Sequence, residues 1–205
     1  LGYQGALFIM ILVDGFQLSW PPFYYSNNRN GEGQLICSKV FYSYFYIALV
    51  FVLFISLFAP IVLELLTPED FHDAYSVVPY VVFAYALKGP YIIFLMGLLM
   101  KNKTALQLII ETIAASLNIM LNIFLIQKIG KEGAAVSTLA CYIFMVIAAY
   151  VSVQRHNPIK DLSFFKAFQV ILIFYPISFL CLFYEQIPNY FIVISVIFTT
   201  VSYTH

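Results

Sequence analysis

Long apolar runs, broken at short intervals by a few polar residues, extend along the chain from its first residues to its last. A helix needs about 20 apolar residues to cross the roughly 30 Å hydrocarbon core of a bilayer. On that criterion the pattern predicts seven spans, at residues 5–25, 41–66, 75–100, 105–127, 133–153, 165–184 and 187–204. Barrel strands would be about ten residues long and alternate in polarity, whereas these runs are longer and apolar on every side. The expected fold class is therefore all-α, a polytopic membrane helix bundle. Only Glu185–Pro188 separates the last two spans, which predicts a tight hairpin. The turn between the fourth and fifth spans is short enough to make them an antiparallel pair. Gly133, Ser137 and Cys141 then recur every four positions, a spacing that permits close helix packing. Pro60 and Pro176 fall inside the second and sixth spans and mark bends.

The polar residues within these spans are few, and each is costly in lipid unless something satisfies it. Asp14 and Gln17 lie mid-span in the first helix, three residues apart and so on one face. Lys88 lies near the middle of the third, followed by Gly89 and Pro90. Proline lacks the backbone N–H and kinks a helix, so Lys88 is expected beside a bend with freed carbonyls. In the fourth span, Glu111, Asn118 and Asn122 fall within about 20° of one line at about 100° per residue, and Gln107 about 40° off it. Such a stripe faces other helices or a water-filled cavity. Two roles fit: asparagines that hydrogen-bond across a packed interface, and ionisable groups that line a pathway or pair with one another, for example Asp14 with Lys88.

Composition agrees with the membrane reading. Of 205 residues, 62% are hydrophobic and 10% charged, against about 25% charged in soluble domains, and mean hydropathy is +0.91. The formal net charge of +0 gives no reason to expect a nucleic-acid partner. Arg29, Lys39, Lys101, Lys103, Arg155, Lys160 and Lys166 fall in the loops after spans one, three and five. Only Lys128 and Lys131 fall in the others, so by the positive-inside rule the first set faces the cytoplasm. The acidic loop "TPEDFHDAY" and Glu185 then face outward, and the chain starts outside and ends inside. Trp20, Tyr24 and Tyr25 read as an aromatic belt at the membrane interface. Cys37, Cys141 and Cys181 form neither a disulfide framework nor a metal motif. His72, His156 and His205 lack ligand spacing. No catalytic motif and no P-loop is present, and no loop exceeds about 15 residues, which argues against an enzyme with an outward catalytic domain. Leu1 opens within an apolar run without a basic leader or cleavage site, which reads as a piece of a longer polytopic protein.

Three stretches together resemble a known family. "FQLSWPPFYYS" is similar to a helix ending in Trp-x-Pro-Phe. "LFAPIVLELLTPEDFHDAYSVVPYVVFAYALKGPY" is similar to an Ala-Pro start, an outward loop and the next helix. "NIMLNIFLIQKIGKEGAAVSTLACY" is similar to Asn-x-x-x-Asn, Leu-Ile-Pro and Gly-x-x-Gly-Ala-Ala, with Gln127 in place of the proline. The order and spacing resemble the O-antigen and capsule repeat-unit flippases of the MATE-like (MOP) exporter superfamily, over residues 1–155. The resemblance implies a full protein of 12 to 14 helices, arranged in two pseudo-symmetric bundles around a central cavity. The seven spans would be helices eight to fourteen, with residues 1–155 in the carboxy-terminal bundle and 156–205 as two additional helices. The implied function is transport of a lipid-linked oligosaccharide on a polyprenyl pyrophosphate carrier across the bacterial cytoplasmic membrane, by alternating access and without an enzymatic step. No cofactor is expected. Lys88 is the candidate for meeting pyrophosphate or acidic sugars, Gln17, Asn118 and Asn122 for binding sugar hydroxyls, and Asp14 and Glu111 for coupling to H⁺ or Na⁺. The partners expected are the bilayer, the lipid-linked cargo and other polysaccharide-assembly membrane proteins. A drug-cation antiporter of the same superfamily is the alternative, ahead of a membrane-embedded polysaccharide polymerase or glycosyltransferase.

Overall fold

The computed structural model of the chain describes residues 7–28, 33–66, 68, 76–159 and 161–162. Every regular element among them is helical. In chain order these are α1 (Leu7–Asn28), α2 (Gly33–Leu66), α3 (Val78–Ala86), α4 (Lys88–Leu99), α5 (Thr104–Ile129) and α6 (Lys131–His156). The segments Leu35–Ala59, Val78–Leu99, Thr104–Ile129 and Lys131–His156 are long and apolar enough to cross a membrane. α1 has the length, at 22 residues, but Asp14, Gln17, Pro21 and Pro22 dilute its hydropathy. The expected spans 165–184 and 187–204, with Pro176, Cys181, Glu185 and His205, lie outside the described residues, as does most of the acidic loop with His72.

One span organises the rest. Val78–Leu99 is 89% buried, whereas Thr104–Ile129 is 11% buried, so α3–α4 is the central strut and α5 the most peripheral helix. α1 and α2 pack against each other and against the strut. α6 packs against it too, and α5 rests mainly on α6. The strut can be enclosed because it is apolar all round: Val78, Val81, Val82, Ala84, Ile93, Phe94 and Leu98 have no exposed surface. The polar side chain Lys88 sits where the strut changes direction. There the single span expected at 75–100 divides at Leu87, which keeps right-handed helical angles (φ −67°, ψ −16°). Pro90 has no N–H to give the carbonyl of Ala86, four residues back. The Tyr44 hydroxyl donates to that carbonyl instead, at 3.1 Å, so the oxygen freed by the proline is satisfied by a neighbouring helix.

Two expectations need correction. α2 begins at Gly33 rather than 41, and its 34 residues make a rod of about 50 Å, well beyond the hydrocarbon thickness. Hydropathy locates the lipid-spanning part of a helix, not where its backbone hydrogen bonds begin. Trp20 and Tyr24, read as an interfacial belt, are core residues only 2% and 1% exposed. α1 continues unbroken through Pro21 and Pro22 to Asn28, which puts Phe16, Trp20 and Tyr24 on one face. The Phe16 and Trp20 rings stack at 5.8 Å, and the Trp20 and Tyr24 rings lie at 5.5 Å. Of the three aromatics, Tyr25 stays exposed.

α5 and α6 meet in an abrupt reversal. Gly130 alone separates them, with φ +62° and ψ −135°, a conformation that glycine adopts without the clash a Cβ would cause. Its N–H donates to the Ile126 carbonyl at 2.9 Å, and its own carbonyl accepts from the N–H of Gly133 at 3.0 Å. One carbonyl at the end of α5 and one N–H at the start of α6 are thereby satisfied within the turn.

Candidate functional site

The sequence stripe on α5 occupies the half-buried side of that helix. Gln107, Glu111, Asn118 and Asn122 share this side with buried Ile110 and Ala114. Ile109, Ile113, Met120, Ile123 and Phe124 are exposed. Within the stripe two separate clusters form, because α5 meets different neighbours along its length.

The first cluster joins α5 to the strut. The Tyr91 hydroxyl donates to Glu111 Oε1 at 2.9 Å, and Gln107 Nε2 donates to the same oxygen at 3.0 Å. Glu111 therefore has two donors before any ligand is considered. The second cluster joins α5 to α6. Asn122 Nδ2 donates to Asn118 Oδ1 at 2.9 Å, and Ser137 Oγ donates to Asn122 Oδ1 at 2.6 Å. Asn118 also reaches the thiol of Cys141. Ser137 and Cys141, small residues spaced for close packing, therefore act as polar partners as well. Both asparagines hydrogen-bond at the α5–α6 interface. Interhelical bonds of this kind contribute about 0.6 kcal/mol on average and up to about 1.7 kcal/mol in membranes. A double-mutant cycle on Asn122→Ala and Ser137→Ala, read by unfolding in detergent, should return a coupling within that range. Fully additive losses would mean the two side chains stabilise the protein independently.

A third grouping joins the start of α4 to α1. Lys88 Nζ is 3.3 Å from Asp14 Oδ1, with the side chains 32% and 55% exposed. Gln17 is exposed on α1 one turn from Asp14 but is not part of that bond. The Asp14 side chain is itself exposed, and a Cβ added at the neighbouring Gly15 would meet nothing within 4 Å. Lys88 and Tyr91 stand three residues apart on α4, close to one another along the helix, yet their side chains reach different neighbours. The strut thus carries the ion pair to α1 and the Tyr91–Glu111 contact to α5 at successive levels. Of the six sequence candidates, the structure brings together Asp14 with Lys88 and Asn118 with Asn122. Glu111 joins Tyr91 and Gln107, and Gln17 stands apart from these bonds.

Some polar contacts have no counterpart in the sequence reading. Asn157, buried just past the end of α6, donates from Nδ2 to the Gly97 carbonyl at 3.2 Å and also bonds to Tyr24, which in turn reaches Cys37. This cluster ties the ends of α1, α4 and α6 to the start of α2. At the opposite end of α6, Ser76 Oγ donates to Glu132 Oε1 at 3.1 Å. A polar or aromatic residue at a helix end gives no periodic signal, so neither contact was accessible from spacing.

Comparison of the chain with protein-family models, with curated proteins and with solved structures returns no match.

Proposed function

We propose that the chain is the carboxy-terminal portion of a flippase that moves a lipid-linked oligosaccharide on its polyprenyl pyrophosphate carrier across a bacterial cytoplasmic membrane. The observation that carries this reading is the Asp14–Lys88 pair. It lies midway along two helices of spanning length, and its side chains are partly exposed rather than enclosed in the core. Charges at that depth are held away from lipid, facing other protein or water. A polar cavity beside the pair would let a sugar and pyrophosphate pass while the lipid tail stays in the bilayer.

In this reading the described helices belong to a seven-span half, a MATE-like bundle, with the basic loops on the cytoplasmic side and residues 156–205 adding two helices beyond the bundle. Lys88 meets the pyrophosphate or acidic sugars as a point charge. Gln17, and Asn118 and Asn122 where the interface opens, offer hydrogen bonds to sugar hydroxyls. Asp14 and Glu111 are the carboxylates through which an H⁺ or Na⁺ gradient would act. The order and spacing of the three stretches quoted above support the same reading. Lys88→Ala in the full-length protein should abolish or narrow polymer export in a strain that depends on it. Full export at normal protein levels would reject a cargo role for Lys88. Efflux of drug cations with no effect on polymer would point to an antiporter instead.

A further inference from the structure

We infer that Asp14 is a built-in competitor for the anion at Lys88, so that cargo enters by displacing a carboxylate the protein itself supplies. The inference rests on the reading of Lys88 as an anion site and adds a specific role for its neighbour.

An ammonium in an apolar span is costly when bare, and Asp14 is the acceptor that faces it. The contact is not a tight one. At 3.3 Å it is longer than the roughly 2.7–2.9 Å of close charge-assisted bonds, and the pair remains partly exposed. An ammonium has three N–H donors, and Asp14 Oδ1 engages one of them. Lys88 is thus neutralised without being enclosed.

The surroundings make Asp14 the movable partner. Lys88 stands beside Gly89 and Pro90, at a bend held by Tyr44. On α1 the backbone near Asp14 is fixed by Ile9 and Val13, both fully packed at 0% and 1% exposure. Exchange therefore needs only a change of side-chain rotamer at Asp14, into the space that leaves its side chain 55% exposed. Two further carboxylates near the strut are engaged elsewhere, Glu111 by Tyr91 and Gln107 and Glu132 by Ser76. An anion with more charge and more acceptor oxygens than one carboxylate can take all the donors of Lys88. When it leaves, Asp14 closes again and prevents a bare ammonium from holding the cargo. Because both acceptors use the same ammonium, each weakens the other's binding by the same factor.

The test is titration of the full-length protein, in nanodiscs of uncharged lipid, with inorganic pyrophosphate by calorimetry. Asp14→Asn keeps the shape and removes the competing charge, and should tighten binding about tenfold, within the usual range of coupled sites. Asp14→Glu should stay near wild type. Lys88→Gln should lose binding, and the Asp14→Asn/Lys88→Gln double variant should match Lys88→Gln. Asp14→Ser gives a second neutral variant should the asparagine disturb α1. If Lys88→Gln loses binding but neutral variants at Asp14 weaken it or leave it unchanged, the competitor role is overturned and the anion site stands. If binding survives Lys88→Gln, or no variant binds pyrophosphate, the anion reading of Lys88 falls and the competitor role falls with it.

Discussion

Gly133→Ala is expected to open the α5–α6 hairpin and leave little folded protein in the membrane. A Cβ built at Gly133 would run into the backbone of Leu125 and Ile126. Side chains can rotate away from an added methyl; peptide groups within a helix cannot. The two helices would have to separate, and the Ser137–Asn122 bond at 2.6 Å would go with the movement. Overpacking typically costs about 1–3 kcal/mol, and a backbone contact belongs at or above the upper end. The measurement is unfolding in a denaturing detergent, alongside the amount of inserted protein. Two other glycines calibrate it. Gly15→Ala, where nothing lies within 4 Å, should be neutral or gain up to about 1 kcal/mol from helix propensity. Gly130→Ala, at φ +62°, should lose about 1–3 kcal/mol through strain alone. If Gly133→Ala proves as stable as Gly15→Ala, the helices do not meet backbone to backbone.

The same hairpin shows how much of the fold was legible in the sequence. Lipid leaves a spanning chain few options, since its backbone must satisfy itself. Hydropathy therefore sufficed for the helical class and for placing five of the expected helices. The boundaries were less accessible. Gly33–Val40 carries Gln34, Ser38 and Lys39, which end an apolar run but do not end a helix, and so the start of α2 was set too late. The stripe on α5 was visible because periodicity reports which residues share a face. What that face touches depends on other helices, so periodicity could not reveal Tyr91 against Glu111 or the bond from Ser137 to Asn122. Trp20 and Tyr24 were misplaced for a related reason. An aromatic near the end of an apolar run has the same composition whether it points to the interface or to the core. The Asp14–Lys88 pair was weighed from the cost of burying either charge alone, and that energetic argument, unlike spacing, does link residues far apart in sequence.

The bend of the strut should be equally intolerant of change. Gly89→Ala would drive a Cβ into the ring of Tyr44. That ring is 6% exposed and lies against Phe16 at 4.5 Å between centroids, so it has nowhere to go without surrendering its bond to the Ala86 carbonyl. The expected loss is again about 3 kcal/mol or more, from overpacking together with a buried carbonyl left without a donor. Two partner substitutions separate those causes. Tyr44→Ala in the Gly89→Ala background removes the clash, so the double variant should lose clearly less than the sum of the singles, the signature of residues in contact. Tyr44→Phe removes only the donor and should cost about 1–2 kcal/mol when Pro90 is present. Pro90→Ala restores an N–H that can reach the Ala86 carbonyl along the helix, so in that background Tyr44→Phe should become nearly silent. The Tyr44 hydroxyl would then be the external donor that the bend requires because Pro90 lacks one. If Tyr44→Phe costs the same with and without Pro90, the hydroxyl stabilises something other than the bend.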